Sequence, residues 1–183
     1  ANLPKATIVF DHFHLIKLFN EKLSDFRRDL HREATEEGKK VLKGLRWLLL
    51  KNPDNLNPQH NEQQRLEEAL HLNSSLATVY YLKEDLRQLW FQKNKKLASG
   101  YLDDWIARAR SSGIKMLLTF SKTLESHRDG ILAYFDFPIS TGPLEGTNNK
   151  IKTLQKQAYG FRDMEFFKLK ILGLHETKYA LVG

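Results

Sequence analysis

Two short stretches gather the side chains that can do chemistry in this chain. The first is Asp11-His12-Phe13-His14, a carboxylate and two imidazoles. The second is Leu144-Glu145-Gly146-Thr147-Asn148-Asn149-Lys150-Ile151-Lys152, a carboxylate followed closely by amides and ammonium groups. Carboxylates and imidazoles serve as metal ligands or as general acids and bases. Amides and ammoniums beside a carboxylate are the groups that grip a phosphodiester next to a metal. The chain contains no cysteine. Thiolate catalysis, a zinc ribbon and a disulfide framework are therefore excluded, and any metal or acid–base site must come from His, Asp and Glu.

Each stretch also has a plain structural use. Asp11 is suited to cap a helix by accepting backbone N–H bonds. Glu145, just after Pro143, falls where a helix dipole favours an anion. The neighbouring Asn148 and Asn149 are poor helix formers and call for another reason to be there. His31, His60, His71, His127 and His175 contain no pair at helical metal-site spacing and read as surface or loop residues. Trp47, Trp90 and Trp105 fall on apolar helix faces, which predicts core packing rather than base stacking. Lys93, Lys95 and Lys96 read as a solvated junction.

The elements that must position these groups follow from hydrophobic periodicity. Ala6 to Phe10, β-branched and aromatic after Pro4, reads as a strand ending at Asp11. From Phe13 to Leu30 the apolar residues recur at three- and four-residue steps, the pattern of a helix. Further helices are predicted over 36–51, 61–72, from Leu76 to Phe91, from Leu97 to Ala109 and from Ile114 to Leu124. Residues 132–137 read as extended. Ser140 or Thr141 then caps a helix over 144–157 with Pro143 in its first turn, and the last helix runs from Met164 to His175. One strand and one extended segment do not make a stable sheet. Either the first strand docks on helices, or its sheet lies outside this chain.

Composition sets the remaining limits. The 183 residues are 41 % hydrophobic and 28 % charged, which excludes a disordered chain, and no apolar run approaches a membrane span. Of the net charge of +7, residues 1–60 and 143–183 hold +3 each and the middle holds +1. A basic balance of this size is compatible with nucleic-acid binding. The opening residue, Ala1 rather than Met, suggests a piece of a longer protein.

Val9-Phe-Asp-His-Phe-His14, then Gly142-Pro-Leu-Glu-Gly-Thr-Asn-Asn-Lys-Ile-Lys152 and Ala158-Tyr-Gly-Phe-Arg-Asp163, resemble bacterial insertion-sequence transposases with an Asp-Asp-Glu (DDE) triad. Arg46 to Asn52, Tyr81 to Glu84 and Ser112 to Ile114 look like the same family, so the resemblance covers nearly the whole chain. It implies a mainly α fold: an incomplete ribonuclease H-like α/β core (1–30 and 129–183) interrupted by a helical insertion (31–128). Asp11 matches the family's second catalytic aspartate and Glu145 its glutamate. The first aspartate would precede Ala1, so the chain resembles the C-terminal part of a transposase and is expected to be inactive alone. The resemblance further implies that Asp11 and Glu145 hold Mg²⁺ (or Mn²⁺) in the complete protein, within one metal-site diameter of each other. His14 is expected to support Asp11, with Asn148, Asn149, Lys150 and Lys152 contacting DNA. The expected partners are transposon-end and target DNA and further copies of the chain on DNA, in the bacterial cytoplasm at the nucleoid and not at a membrane. The competing expectation is a non-enzymatic helical module that binds DNA or protein.

Overall fold

A computed structural model describes residues 6–139 and 141–174. Pro4, Ser140 and His175 lie outside the described residues. The fold is mainly α, with ten α-helices and no strand among the described residues. The chain divides into two compact units between Ile139 and Ser140.

In the first unit, helix formation begins where the sequence places a capping residue. Asp11 caps α1 (His12–Glu33), Thr35 caps α2 (Glu36–Leu42), Asn73 caps α5 (Ser74–Gln88) and Asn94 caps α6 (Lys95–Ser111), each side chain accepting a backbone N–H of the first turn. The Lys93–Lys96 junction is therefore the start of α6. Between these lie α3 (Leu45–Leu50) and α4 (Glu62–Leu72), followed later by α7 (Lys115–Ser126) and α8 (Arg128–Leu132).

The long helix α1 buries Leu15, Phe19 and Leu23, a stripe at four-residue steps. It packs against α2, α3, α5 and α7. At the centre, Phe19, Trp105 and Phe120 meet edge-on, with ring centroids 4.8–6.2 Å apart. The fully buried Trp105 donates its indole N–H to Leu82 O at 2.8 Å, so the large ring is accommodated without an unpaired polar atom.

Three sequence expectations need correction. The segment 6–10 joins no sheet among the described residues; it docks on α8 instead. There, Phe10 N–H donates to Gly130 O at 3.0 Å, and the Phe10 ring meets His127 edge-on at 4.9 Å. Gly130 permits this approach, because a Cβ there would lie 2.4 Å from Phe10 Cδ2. Residues 132–137 are not extended but finish α8 and turn through a 3₁₀ helix, Ala133–Phe135. The helix predicted over 36–51 is broken at Gly44, whose φ of +83° belongs to the left-handed region that favours glycine. This break turns Trp47 outward, where it is 65 % exposed with the Arg46 guanidinium over its ring, while Trp90 is half-buried and Trp105 is core.

The second unit contains α9 (Gly142–Gln157) and α10 (Met164–Leu172). Pro143 sits in the first turn of α9, as expected, with Thr141 at the cap position. The two helices are joined through Tyr159 and Gly160, both at positive φ. Asp163 caps α10 by accepting from Glu165 and Phe166 N–H, and Phe161 stacks on the buried Phe167 at 4.7 Å. No side chain of α9 is buried. No described helix is long and apolar enough to cross a membrane.

Candidate functional site

Asp11 is one of the few buried polar residues, only 4 % exposed. The docked segment 6–10 delivers it to the head of α1, where its carboxylate accepts Phe13 N–H at 3.1 Å. His12 Nδ1 lies 2.9 Å from the same oxygen. Of the two imidazoles in the motif, His12 is thus placed against Asp11. His14 is exposed one turn along α1, with its ring edge-on to Phe13 at 5.8 Å.

Beside His12 opens a cleft of about 520 Å³, with Trp90, Tyr134, Glu84 and Arg87 on its walls. The His12 ring stands 5.8 Å from Trp90 and 6.5 Å from Tyr134. Trp90 Nε1 is buried with no hydrogen-bond partner among the described residues. Behind it, Lys83 is fully buried on α5, donating to Leu49 O at 2.5 Å and pairing with Glu84 at 2.7 Å. Burial pushes the Lys83 ammonium below the usual lysine range, and Glu84 opposes that shift. Lys83 is not marked by hydrophobic patterning, although Lys83-Glu84 lies in one of the family-like stretches; Trp90 is marked as an apolar-face residue.

Glu145 occupies the first turn of α9, half-buried, in the second unit. Helical spacing places Asn148, Asn149 and Lys152 on its face of α9, at three, four and seven residues from it. Lys150 stands about 140° round the helix from Glu145. It borders a shallow hollow with Asn149, Thr153 and Leu174. Asn148, Asn149, Lys150 and Lys152 are all exposed.

The comparisons with known proteins match this picture over most of its length. Residues 1–171 match a family model described as transposase, a span that includes both motifs. The transposase for insertion sequence element IS1001 of Bordetella parapertussis is 39 % identical over 174 residues, or 93 % of this chain and 42 % of that protein. The chain belongs to the bacterial insertion-sequence transposase family. The transposase for IS1557 of Mycobacterium tuberculosis is 33 % identical over 143 residues, covering 78 % of this chain and 32 % of that protein. The chain thus spans less than half the length of these transposases. A shorter match, 42 % over 60 residues, links it to an ATP-dependent protease of Lactococcus lactis; it covers 33 % of the chain and carries no argument about function. No solved structure matches the chain.

The donors present suit a hard divalent ion. Asp11 and Glu145 offer oxygen ligands, which suit Mg²⁺ and Mn²⁺. Among the described residues no three His, Asp or Glu side chains converge to hold a metal.

Proposed function

We propose that this chain carries two of the three carboxylates of a DDE transposase active site, Asp11 and Glu145, and that the complete protein cleaves DNA strands and joins them. The observation that carries the reading is the family match, which runs without a break through both motifs. The placement of the two groups supports it. Asp11 is fixed by burial and a backbone bond, and Glu145 shares a helix face with amides and an ammonium suited to a phosphodiester.

In this reading residues 1–30 and 129–183 belong to a ribonuclease H-like core, and 31–128 form its helical insertion. Asp11 and Glu145 would hold Mg²⁺ (or Mn²⁺) together with a third carboxylate from outside these 183 residues. When bound, such ions activate the attacking oxygen and stabilise the leaving oxygen of the scissile phosphodiester. The chain's own residues position and bind: His14 supports Asp11, while Asn148, Asn149, Lys150 and Lys152 hold DNA phosphates. The chain alone is inactive. The complete protein acts as an oligomer on transposon-end and target DNA at the bacterial nucleoid, in the cytoplasm. The competing reading, a non-enzymatic DNA- or protein-binding module, draws on the helix-capping bond of Asp11, which gives that residue a purely structural use.

The test is Mg²⁺-dependent nicking of a plasmid carrying the element's ends by the full-length protein. Glu145→Gln should reduce nicking on the order of a thousandfold or more; an unchanged rate refutes the assignment. Nicking by the isolated chain, lost on Glu145→Ala, would refute the need for a third carboxylate.

A further inference from the structure

We infer that the groove between the second half of α1 and α2 is a binding track for the phosphate backbone of duplex DNA. This rests on the reading that the protein acts on DNA and adds a surface to the α9 contacts proposed above. The groove has a volume of about 700 Å³, and its walls carry Arg27, Arg28, Arg32, Lys39, Lys40 and Lys43 against a single acid, Glu36.

The cations are only lightly compensated. Arg28 pairs with Asp25, Arg32 with Asp29 and Lys39 with Glu36, all at three-residue spacing on exposed helix surface. Such pairs contribute little and exchange readily for a phosphate. Lys40 and Lys43 pair with no acid among the described residues. Arg27 donates to Leu42 O at 3.2 Å, but its Nε is buried without a partner. Burial, followed by the charges of Arg46 and Arg28, holds the Arg27 guanidinium below its usual range. Three of the six groove cations have a carboxylate partner and three have none among the described residues, and an anion in the groove would offset that excess.

Helix dipoles account for part of this pattern and not the rest. His31 and Arg32 fall in the last turn of α1, and Lys39 and Lys40 in the last turn of α2, where cations are favoured. Arg27 and Arg28 lie more than a turn before the end of α1, whereas Lys43, the C-cap of α2, shares the dipole explanation. Arg28 also lines an adjoining groove with Lys17, Arg46 and Arg87, which Glu21 and Asp25 temper. From Lys17 to Arg32 the track follows α1 for about 22 Å at 1.5 Å per residue. That is roughly two-thirds of a turn of duplex and far longer than a mononucleotide. Single strands are held largely by stacking on aromatic rings; no Phe, Tyr or Trp lines the α1–α2 groove, and the adjoining groove has Phe13 alone.

The experiment measures binding of a duplex of roughly 30 base pairs and arbitrary sequence, several times the length of the track, to the chain by fluorescence anisotropy across a salt series. The groove variant combines Arg28→Gln, Lys40→Gln and Lys43→Gln. A control variant, Lys93→Gln with Lys96→Gln and Lys122→Gln, removes the same charge from exposed positions elsewhere. Thermal melts establish that both variants fold. The groove variant should bind more than tenfold more weakly, with the slope of log K against log salt shallower by about 2–3, at roughly 0.9 per lost phosphate contact. The control should stay near the parent. Equal losses in both variants, unchanged binding by the groove variant, or no duplex binding by the parent would each overturn the inference. So would tighter, groove-dependent binding of an RNA duplex of the same sequence. Nicking by the full-length protein and its dependence on Glu145 decide the functional reading separately.

Discussion

Asp11 caps α1 and is proposed to bind metal, and the two uses can be separated by removing its charge while keeping its shape. As a helix cap it needs only an acceptor oxygen for Phe13 N–H, which it holds at 3.1 Å. As a metal ligand it needs a negative carboxylate. Asparagine caps as well as aspartate, so Asp11→Asn keeps the bond to the backbone and loses the charge. What it forfeits is the attraction between a carboxylate and the head of α1, about 0.3–1 kcal/mol, and the charge that faces His12 Nδ1. Asp11→Ala loses the cap as well, a further cost of about 0.5–2 kcal/mol. For a domain of this size each kcal/mol lowers Tm by about 2–4 °C. The Asn variant should therefore melt no more than about 4 °C below the parent, and the Ala variant clearly lower still.

The two assays are thermal melting of the chain and Mg²⁺-dependent nicking by the full-length protein. Asp11→Asn should abolish nicking while nearly keeping the melt; Asp11→Ala should lose both. If the Asn variant nicks within about tenfold of the parent, a change of only ~1.4 kcal/mol, Asp11 is a cap and not a ligand. If it melts as low as the Ala variant, the capping argument is wrong.

Lys83→Met should lower stability by about 1.5–3 kcal/mol, because Leu49 O near the end of α3 loses its charged donor; a melting temperature equal to or above the parent's would refute that role. The phenol of Tyr80 is pushed up to about 12 by burial and, second, by the Glu84 carboxylate. Between pH 10 and about 12 the folded state keeps this proton while the unfolded chain releases it, so stability falls with rising pH. Tyr80→Phe should melt close to the parent at pH 7 and lose less stability above pH 10, and parallel alkaline melting curves would refute the assignment. Gly130→Ala forces the Phe10 ring away from a Cβ that would lie 2.4 Å from it, at a cost of about 1–3 kcal/mol. Phe10→Ala in the same chain should recover part of that loss, and strictly additive losses in a double-mutant cycle would show that the two positions do not clash.

The parts of this fold legible in the sequence are those decided within one or two helical turns. Leu15, Phe19 and Leu23 are buried where the spacing places them, and Asp11 accepts the helix-capping bond for which its position is suited. The errors arise where a distant neighbour decides. Val9 and Phe10 have the composition of a strand, but their partner here is the backbone of Gly130, so β-propensity had no ladder to act through. The run from Leu132 to Phe137 is short and apolar, and periodicity cannot tell such a run from the end of a helix. Trp47 follows the apolar pattern of a continuous helix; once Gly44 restarts the helix, Leu45, Leu48 and Leu49 take the buried arc and Trp47 falls opposite them.

The same distinction governs the functional residues. Asp11 and Glu145 stand out because each sits in a dense local motif, and family resemblance then supplies a role that spacing alone leaves open. Lys83 is silent in the sequence because the carbonyl that accounts for its burial lies 34 positions away. The basic track is silent for a related reason. Arg28 and Arg32 belong to one helix, Lys40 to the next and Lys43 to its C-cap, and each set alone reads as an ordinary solvated face. Only the turn at Thr35, which folds α2 back against α1, places the two sets on one groove. A charge excess of +3 over residues 1–60 is therefore weak evidence as a total and stronger evidence once its members share a wall. Like charges gathered on one wall raise the free energy of the folded chain unless an anion offsets them. Three of the six groove cations have no carboxylate partner among the described residues, and that excess on one wall argues for a phosphate partner where composition alone does not.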